Sequence, residues 1–90
     1  MAKAVADPEE LRRFAQLLKK FNAGVSQAMQ QLQGASIALG QTWRDQEHAK
    51  FQSEFEATLR QLQRFIEASD EQVPLLVRKA ERLEEYLRQR

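Results

Sequence analysis

Apolar residues recur along this chain at alternating steps of three and four, and this spacing limits the possible folds more than any other feature. A period of 3.5 residues is the pattern of helices that pack in heptads. The first series is Leu11, Phe14, Leu18, Phe21, Val25, Ala28, Leu32, Ala35 and Leu39. The second series is Phe55, Leu59, Leu62, Ile66, Ser69, Val73, Leu76, Ala80, Leu83 and Leu87. The two series predict two long helices.

Start and stop signals set the predicted bounds of these helices. Asp7 is a favourable N-cap and Pro8 suits the first helical position, so helix 1 is expected over about 8–39. Gly40 stands where a left-handed glycine commonly ends a helix. The turn is expected over about 40–45, with Thr42 or Asp45 as the cap of the next helix. Helix 2 is then expected over about 46–88.

Pro74 lies inside the second predicted helix. A proline in a helix interior removes one backbone hydrogen bond and clashes with the carbonyl four residues earlier, here that of Asp70. The heptad phase continues through this region, which favours a kink near residues 70–74 over a break. The alternative of three helices, with Ser69 or Asp70 as the cap of the third, stays open.

The connection between the helices is short, so they are expected to form an antiparallel hairpin in a single domain, 1–90. A further line of side chains follows the second helix at steps of seven: Phe51, Thr58, Phe65, Gln72, Lys79 and Tyr86. Apolar stripes this wide cannot all be buried within one hairpin. An all-α fold is therefore predicted, in which two hairpins dimerise as a four-helix bundle. The expected dimer and core interface comprises Leu11, Phe14, Leu18, Phe21, Val25, Leu32, Leu39, Phe51, Phe55, Leu59, Leu62, Ile66, Val73, Leu76 and Leu83.

Composition narrows the classes of function. The ninety residues include no cysteine and one histidine, so thiolate metal sites are excluded and no metal or cofactor is expected. The 14 basic and 13 acidic residues are interspersed, which argues against nucleic-acid binding. No apolar run approaches the roughly 20 residues of a membrane helix, and the start lacks the apolar region of a cleaved signal peptide.

The stretch "GQTWRDQEHAKF" gathers the one tryptophan and the one histidine. Trp43 is interpreted as the side chain that fills the corner of the hairpin, with a recognition role as the alternative. His48 has no nucleophile or positioned carboxylate in its pattern, so it is interpreted as a surface or cap-adjacent residue. No catalytic residues are predicted, and the chain is not expected to be an enzyme.

Arg12 belongs to the charged side of helix 1 that is predicted to face solvent.

Small residues recur in the second half of helix 1. A tight helix crossing within the bundle is the expected role of the small set, which comprises Gly24, Ala28, Gly34, Ala35 and Ser36.

The segment "TWRDQEHAKFQSEF" resembles the centre of the WXG superfamily, the early secreted antigenic target-like substrates of type VII secretion. In that family a tryptophan marks the turn and the next helix opens with aromatic residues, here Phe51 and Phe55. The resemblance implies a helical hairpin that pairs with itself or with a sister protein.

Two positions depart from the family pattern. The turn motif Trp-any-Gly reads Trp43, Arg44 and Asp45, and aspartate tolerates turn and cap conformations. The family's secretion signal, a tyrosine followed four residues later by an acid, is matched at Tyr86, while Arg90 stands in the acidic position.

The resemblance therefore implies a non-enzymatic, dimeric substrate or adaptor of type VII secretion. Its expected partners are a second copy or a sister protein, and the secretion machinery. It is expected either outside the cell without a cleaved signal peptide or in the cytoplasm. The alternative function is a cytosolic structural or chaperone-like module that binds a partner helix.

Overall fold

A computed structural model describes residues 6–89 as two helices folded into an antiparallel hairpin. The first helix, α1, spans Pro8–Leu39 and has 32 residues, and the second, α2, spans Gln46–Arg88 and has 43. The hairpin is a rod of 69 × 18 × 17 Å. The predicted all-α, two-helix hairpin is confirmed.

The N-terminal signals of α1 act as their residue types predict. Asp7 has extended backbone angles, and its Oδ1 accepts a hydrogen bond from the Glu9 backbone N–H at 2.9 Å. Pro8 lacks an N–H at a position where none would be bonded within the helix. Glu9 and Glu10 place negative charge at the positive end of the helix dipole.

Pro74 does not end a helix, because α2 continues through it without interruption. The alternative of a third helix beginning at Ser69 or Asp70 is therefore wrong. Proline removes only one hydrogen bond, and the packing of a long apolar stripe on both sides can hold the helix together across that point. The kink near residues 70–74 stays a prediction.

The most deeply buried side chains in the contact between the helices are mostly small or polar. On α1 they are Ala15, Asn22 and Ser36, which recur at steps of seven or fourteen. On α2 they are Ile66, Ser69 and Ala80. Half-buried apolar residues surround them: Leu11, Leu18, Val25, Met29, Phe55, Leu59, Val73, Leu76 and Leu83. Small side chains allow a close approach of the helices but bury little apolar area.

Most of the small residues of α1 lie outside its contact with α2, so their crossing within a bundle stays a prediction. Gly24, Ala28, Gly34 and Ala35 are exposed, and only Ser36 is buried. Among the described residues, a Cβ added at Gly24 or Gly34 would have no atom within 4 Å apart from its chain neighbours and the nearby backbone of its own helix. The buried residues Ala15, Asn22 and Ser36 each follow directly after a residue of the predicted series, namely Phe14, Phe21 and Ala35. These members of the predicted series and the exposed small residues beside them are therefore turned outwards.

Two hydrogen bonds between side chains set the alignment of the helices. The Asn22 amide Nδ2 donates to Asp70 Oδ1 at 2.8 Å, and the Ser36 hydroxyl donates to Gln52 Oε1 at 2.9 Å. Asn22 is only 1% exposed, and its own Oδ1 has no partner among the described residues. A shift of the helices by one turn would leave both groups of Asn22 without partners, so the bond to Asp70 favours this alignment.

An ion pair joins the helices near the open end of the hairpin. The Arg12 guanidinium donates to both carboxylate oxygens of Glu84, at 2.6 and 3.2 Å. The assignment of Arg12 to the solvated side is therefore wrong: the side chain reaches across to α2 and is half-buried. The hydrogen bond from Arg12 lowers the pKa of Glu84, and the Arg12 charge lowers it further while burial opposes the shift.

Neither helix has, in the part of the chain that the structure describes, a stretch long and apolar enough to cross a membrane.

Replacing Asp70 with Ala should lower the free energy of unfolding by about 1 kcal/mol, because it leaves the buried Asn22 amide without its acceptor. Urea denaturation at one fixed protein concentration measures the change. Glu71→Ala is the matched control, since it removes a neighbouring exposed carboxylate, and it should change stability by less than about 0.5 kcal/mol. Equal losses in the two variants would contradict the role given to the Asn22–Asp70 bond.

Replacing Glu84 with Gln should make the protein less stable at neutral pH and remove part of its acid sensitivity. A carboxyl whose pKa is lowered in the folded state stabilises the fold above its ordinary value of 4.5. That stabilisation is lost as the pH falls through the lower folded value. Urea denaturation from neutral to strongly acid pH should show the parent and the variant converging in acid. Glu67→Gln, at an exposed carboxylate on α2, should keep the parent's pH dependence.

Candidate functional site

The turn between the helices occupies residues 40–45 and carries the motif of Trp43, Arg44 and Asp45. The Leu39 carbonyl at the end of α1 accepts backbone hydrogen bonds from Thr42 at 3.1 Å and from Trp43 at 3.0 Å. These bonds bring the chain back towards α2 within a few residues. Trp43 is half-buried and Arg44 is exposed.

Asp45, rather than Thr42, caps α2. Its Oδ1 accepts a hydrogen bond from the His48 backbone N–H at 3.0 Å. Its backbone is extended, with φ −89° and ψ −175°, a conformation open to any residue. The corner thus forms without a glycine at the third motif position, and the aspartate contributes a cap that glycine could not supply.

Gly40 follows α1, but the left-handed conformation predicted for it is wrong. Its φ is −64° and its ψ is −14°, and no described residue has a positive φ. The glycine is needed for space instead. A Cβ at position 40 would lie 3.3 Å from His48 Cε1 and 3.5 Å from His48 Nε2. A side chain at position 40 would therefore press against the imidazole.

A cluster of rings closes this end of the hairpin. The Trp43 ring lies 5.0 Å from that of His48 and 5.6 Å from that of Phe51, both tilted. Phe51 stacks on Phe55, with centroids 5.6 Å apart. His48, Phe51 and Phe55 are three and four residues apart on α2, so they share one side of the helix. Trp43 packs against the first turns of α2 from the turn.

His48 is held by packing, and the geometry around it is not that of a catalytic group. Its Nε2 is buried and makes no hydrogen bond to any described residue. The described residues also contain no group of three histidine or acidic side chains arranged to hold a metal ion. The cluster of Trp43, His48 and Phe51 can therefore stabilise the corner and present the edge of an aromatic surface.

Large apolar side chains lie exposed along both helices. Exposed fractions are 56% for Phe14 and Phe21, 57% for Phe65 and 61% for Tyr86. We call this surface the apolar face; it comprises Phe14, Leu17, Phe21, Ala28, Leu32, Ala35 and Leu39 on α1, and Phe51, Leu62, Phe65 and Tyr86 on α2. These residues include the members of the predicted interface that do not face the opposite helix of the hairpin.

The two stripes of the apolar face lie on the same side of the hairpin. Phe14 and Phe21 each precede a contact residue of α1, and Phe65 precedes the contact residue Ile66 of α2. In two antiparallel right-handed helices, positions displaced in the same sequence direction from the contact fall on one side of the pair. The hairpin therefore has one broad apolar side.

The opposite side of the hairpin is mixed in polarity. A groove of about 510 Å³ runs there between the helices, lined by Gln33, Gln52, Glu56, Arg60 and Gln63 together with the apolar Met29, Ile37, Phe55 and Leu59 and the hydroxyl of Ser36. Amide and charged side chains that reach water do not require a partner to cover them. The apolar face is thus the surface with the strongest reason to be covered.

Tyr86 lies in the last turn of α2, where its ring is available to a partner. Nearby, Arg88 and Glu85 form an ion pair of 2.6 Å at spacing i, i+3. Arg90, which stands in the acidic position of the family signal, lies outside the described residues. The sequence pattern revealed Tyr86, but it gave no signal for the His48–Gly40 contact, which depends on the fold of the corner.

Replacing Gly40 with Ala should destabilise the hairpin by about 1 kcal/mol, because the new Cβ would push on a ring that Trp43 holds in place. The loss should disappear when His48 is also replaced with Ala, and urea denaturation of the four proteins closes the cycle. Gly34→Ala is the control. It should stabilise α1 by up to about 1 kcal/mol, because it places alanine at an exposed mid-helix position. A loss at Gly40 that persists without the imidazole would contradict the steric explanation.

Comparison with known proteins places this hairpin in a family. The WXG100 family, described as proteins of 100 residues with WXG, matches residues 5–86. A search of curated proteins gave no significant match. The crystal structure of the secreted protein ESXB from Bacillus anthracis str. sterne is similar, with a TM-score of 0.80 and 28% sequence identity. The match covers 92% of this chain and 89% of ESXB. The chain therefore belongs to the WXG100 family of small, non-enzymatic helical-hairpin proteins.

Proposed function

We propose that this chain is exported by type VII secretion and that it acts there as a dimeric, non-enzymatic substrate or adaptor. The export proposal rests on the membership of this chain in the WXG100 family and on its similarity to a secreted protein over most of both chains. The corner of Trp43, Arg44 and Asp45 supports it as well. Asp45, in the position of the family's glycine, caps α2, and Trp43 packs on His48 and Phe51 at the start of that helix.

The exposed area of the hairpin supports dimerisation. The chain exposes 7478 Å², whereas a compact monomer of 10.5 kDa would expose about 5,400 Å². The excess of about 2,000 Å² per chain is larger than the roughly 800 Å² that each partner buries in a standard protein interface. Much of it comes from large side chains on one side, such as Phe14, Phe21 and Phe65. Covering this side with another hairpin yields a four-helix bundle.

The charge distribution of α1 also suits a covered helix. Residues 21–43 contain no acidic or basic side chain, although 30% of the whole chain is charged. A helix that faced water over most of its surface would normally carry charges there. The partner that covers it is either a second copy or a sister protein of the same family.

Export is tested by measuring this protein in the medium of its host with and without an intact type VII ATPase. We expect it in the medium only when the ATPase is present, with a cytoplasmic marker staying inside the cells in both strains. A protein that remains inside both strains would contradict export and favour an intracellular module that binds a partner helix.

Replacing Tyr86 with Ala should strongly reduce the exported fraction, because the tyrosine occupies the signal position and is exposed. Leu75→Ala is the matched control, since Leu75 is also a large exposed side chain on α2, 55% exposed against 61% for Tyr86. The ratio of medium to cell protein is measured for each variant. Equal export of the Tyr86 variant and the parent would show that the tyrosine is not part of the signal.

A further inference from the structure

We propose that the groove on the side of the hairpin away from the apolar face binds a helix of a different protein, one that carries an apolar stripe and an acidic residue for Arg60. The groove lies in the half of the hairpin nearest the turn, between residues 29–37 of α1 and residues 52–63 of α2. The inference rests on the proposed adaptor role, to which it adds a surface and the chemistry of the bound partner.

Ile37 is the clearest sign that this side is meant to be covered. Its side chain is 64% exposed, against 61% for Tyr86 and 56% for Phe21 on the apolar face. Phe21 precedes the buried Asn22, whereas Ile37 follows the buried Ser36, so the two side chains leave α1 on opposite sides of its contact with α2. A partner on the apolar face therefore leaves Ile37 in water.

The groove also has an apolar floor. Met29, Phe55 and Leu59 are half-buried there, and the exposed Ile37 stands beside them. The volume of about 510 Å³ lies within the range of pockets that bury most of a ligand's surface. Apolar side chains of a partner that fill this space would remove the rest of the floor from water, which is the main source of affinity in such contacts.

The wall that α1 contributes carries no charge. Residues 21–43 contain no acidic or basic side chain on any side of the helix. A partner on the apolar face covers only one side of this segment, and a helix side that faces water would normally carry charges. The uncharged groove side of α1 therefore indicates a second covered surface.

The wall that α2 contributes carries one cation without an ionic partner. Arg60 is exposed and forms no ion pair with any residue that the structure describes, although Glu56 lies four residues earlier. Glu56 instead accepts a hydrogen bond from Gln52 Nε2 at 3.2 Å. A guanidinium beside an apolar floor favours a carboxylate, which it can bind with two parallel hydrogen bonds. The charge of this wall thus fits an acidic residue on the partner.

A helix fits this groove better than an extended segment does. The backbone groups of α1 and α2 are bonded within each helix, so the walls offer an extended chain no main-chain partners, whereas a helix satisfies its own backbone. Residues 52–63 rise by about 16 Å, which corresponds to about three helical turns. Apolar side chains at spacing i, i+4 and i+7 would follow the floor over that length.

A synthetic helical peptide of about 16 residues serves as the probe. It carries leucines at i, i+4 and i+7, a glutamate on each flank of that stripe, and alanine and glutamine elsewhere. Fluorescence anisotropy of the labelled peptide measures its Kd for the full chain. Exchange of both glutamates for lysine should raise the Kd about fivefold, because it replaces an attraction to Arg60 by a repulsion.

Arg60→Glu should reverse this preference, so that the lysine peptide binds more tightly than the glutamate peptide. Lys50→Glu is the matched control, because it makes the same change of net charge at an exposed position of α2 outside the groove. It should keep the preference for glutamate. An unchanged preference in the Arg60 variant, or an equal reversal in both variants, overturns the acidic partner.

Ile37→Gln should raise the Kd of the glutamate peptide about tenfold by removing apolar contact. Phe65→Gln, at a side chain of similar exposure on the apolar face, should leave the Kd within about threefold of the parent. Circular dichroism checks that both variants keep their helix content. Loss of binding in the Phe65 variant alone would place the peptide on the apolar face and overturn the groove, as would a peptide that does not bind the parent chain.

These outcomes are independent of export. A chain that is secreted through the ATPase but does not bind the peptide fails only this inference. A chain that binds the peptide with the expected preference but is never exported fails only the proposed secretion.

Discussion

The contact between α1 and α2 is narrow and partly polar, and the other features of this protein follow from it. Ala15, Ala80 and Ile66 are its buried apolar members, while Asn22 occupies its middle as the largest fully buried side chain. Such a contact sets the alignment of the helices through specific hydrogen bonds, but it buries little apolar area. The larger apolar side chains face outwards, so the hairpin carries the surface on which a partner can build a bundle.

The turn at residues 40–45 reverses the direction of the chain within a few residues. Asp45 supplies a cap from an extended backbone, and Gly40 leaves room for the His48 imidazole. Trp43 then packs on His48 and Phe51. Trp43, Asp45 and Gly40 thus all contact or position the first turn of α2. The aspartate in the third motif position is compatible with a closed turn because its side chain bonds to the helix that it starts.

Much of the fold could be predicted because heptad spacing and capping are local properties. The series through Leu18 and Ile66, together with the signals at Asp7 and Pro8, indicated two long helices joined by a short turn. The alignment partners could not be predicted. Asn22 has an ordinary polar side chain in the sequence, and Arg12 resembles any surface arginine. Their partners, Asp70 and Glu84, are 48 and 72 residues away in the chain and meet them only after the hairpin closes.

The sequence by itself determined the helices, their approximate ends and the presence of more apolar surface than two helices can bury. It did so because backbone preferences and apolar periodicity act over a few residues. Only the tertiary structure decided which part of the heptad pattern faces the other helix. That choice depends on a rotation of α1 by less than one residue position, which turns Asn22 and Ser36 inwards and Phe14 and Phe21 outwards while Leu18 keeps its contact. Close approach and two hydrogen bonds between the helices select this rotation over burial of the larger rings.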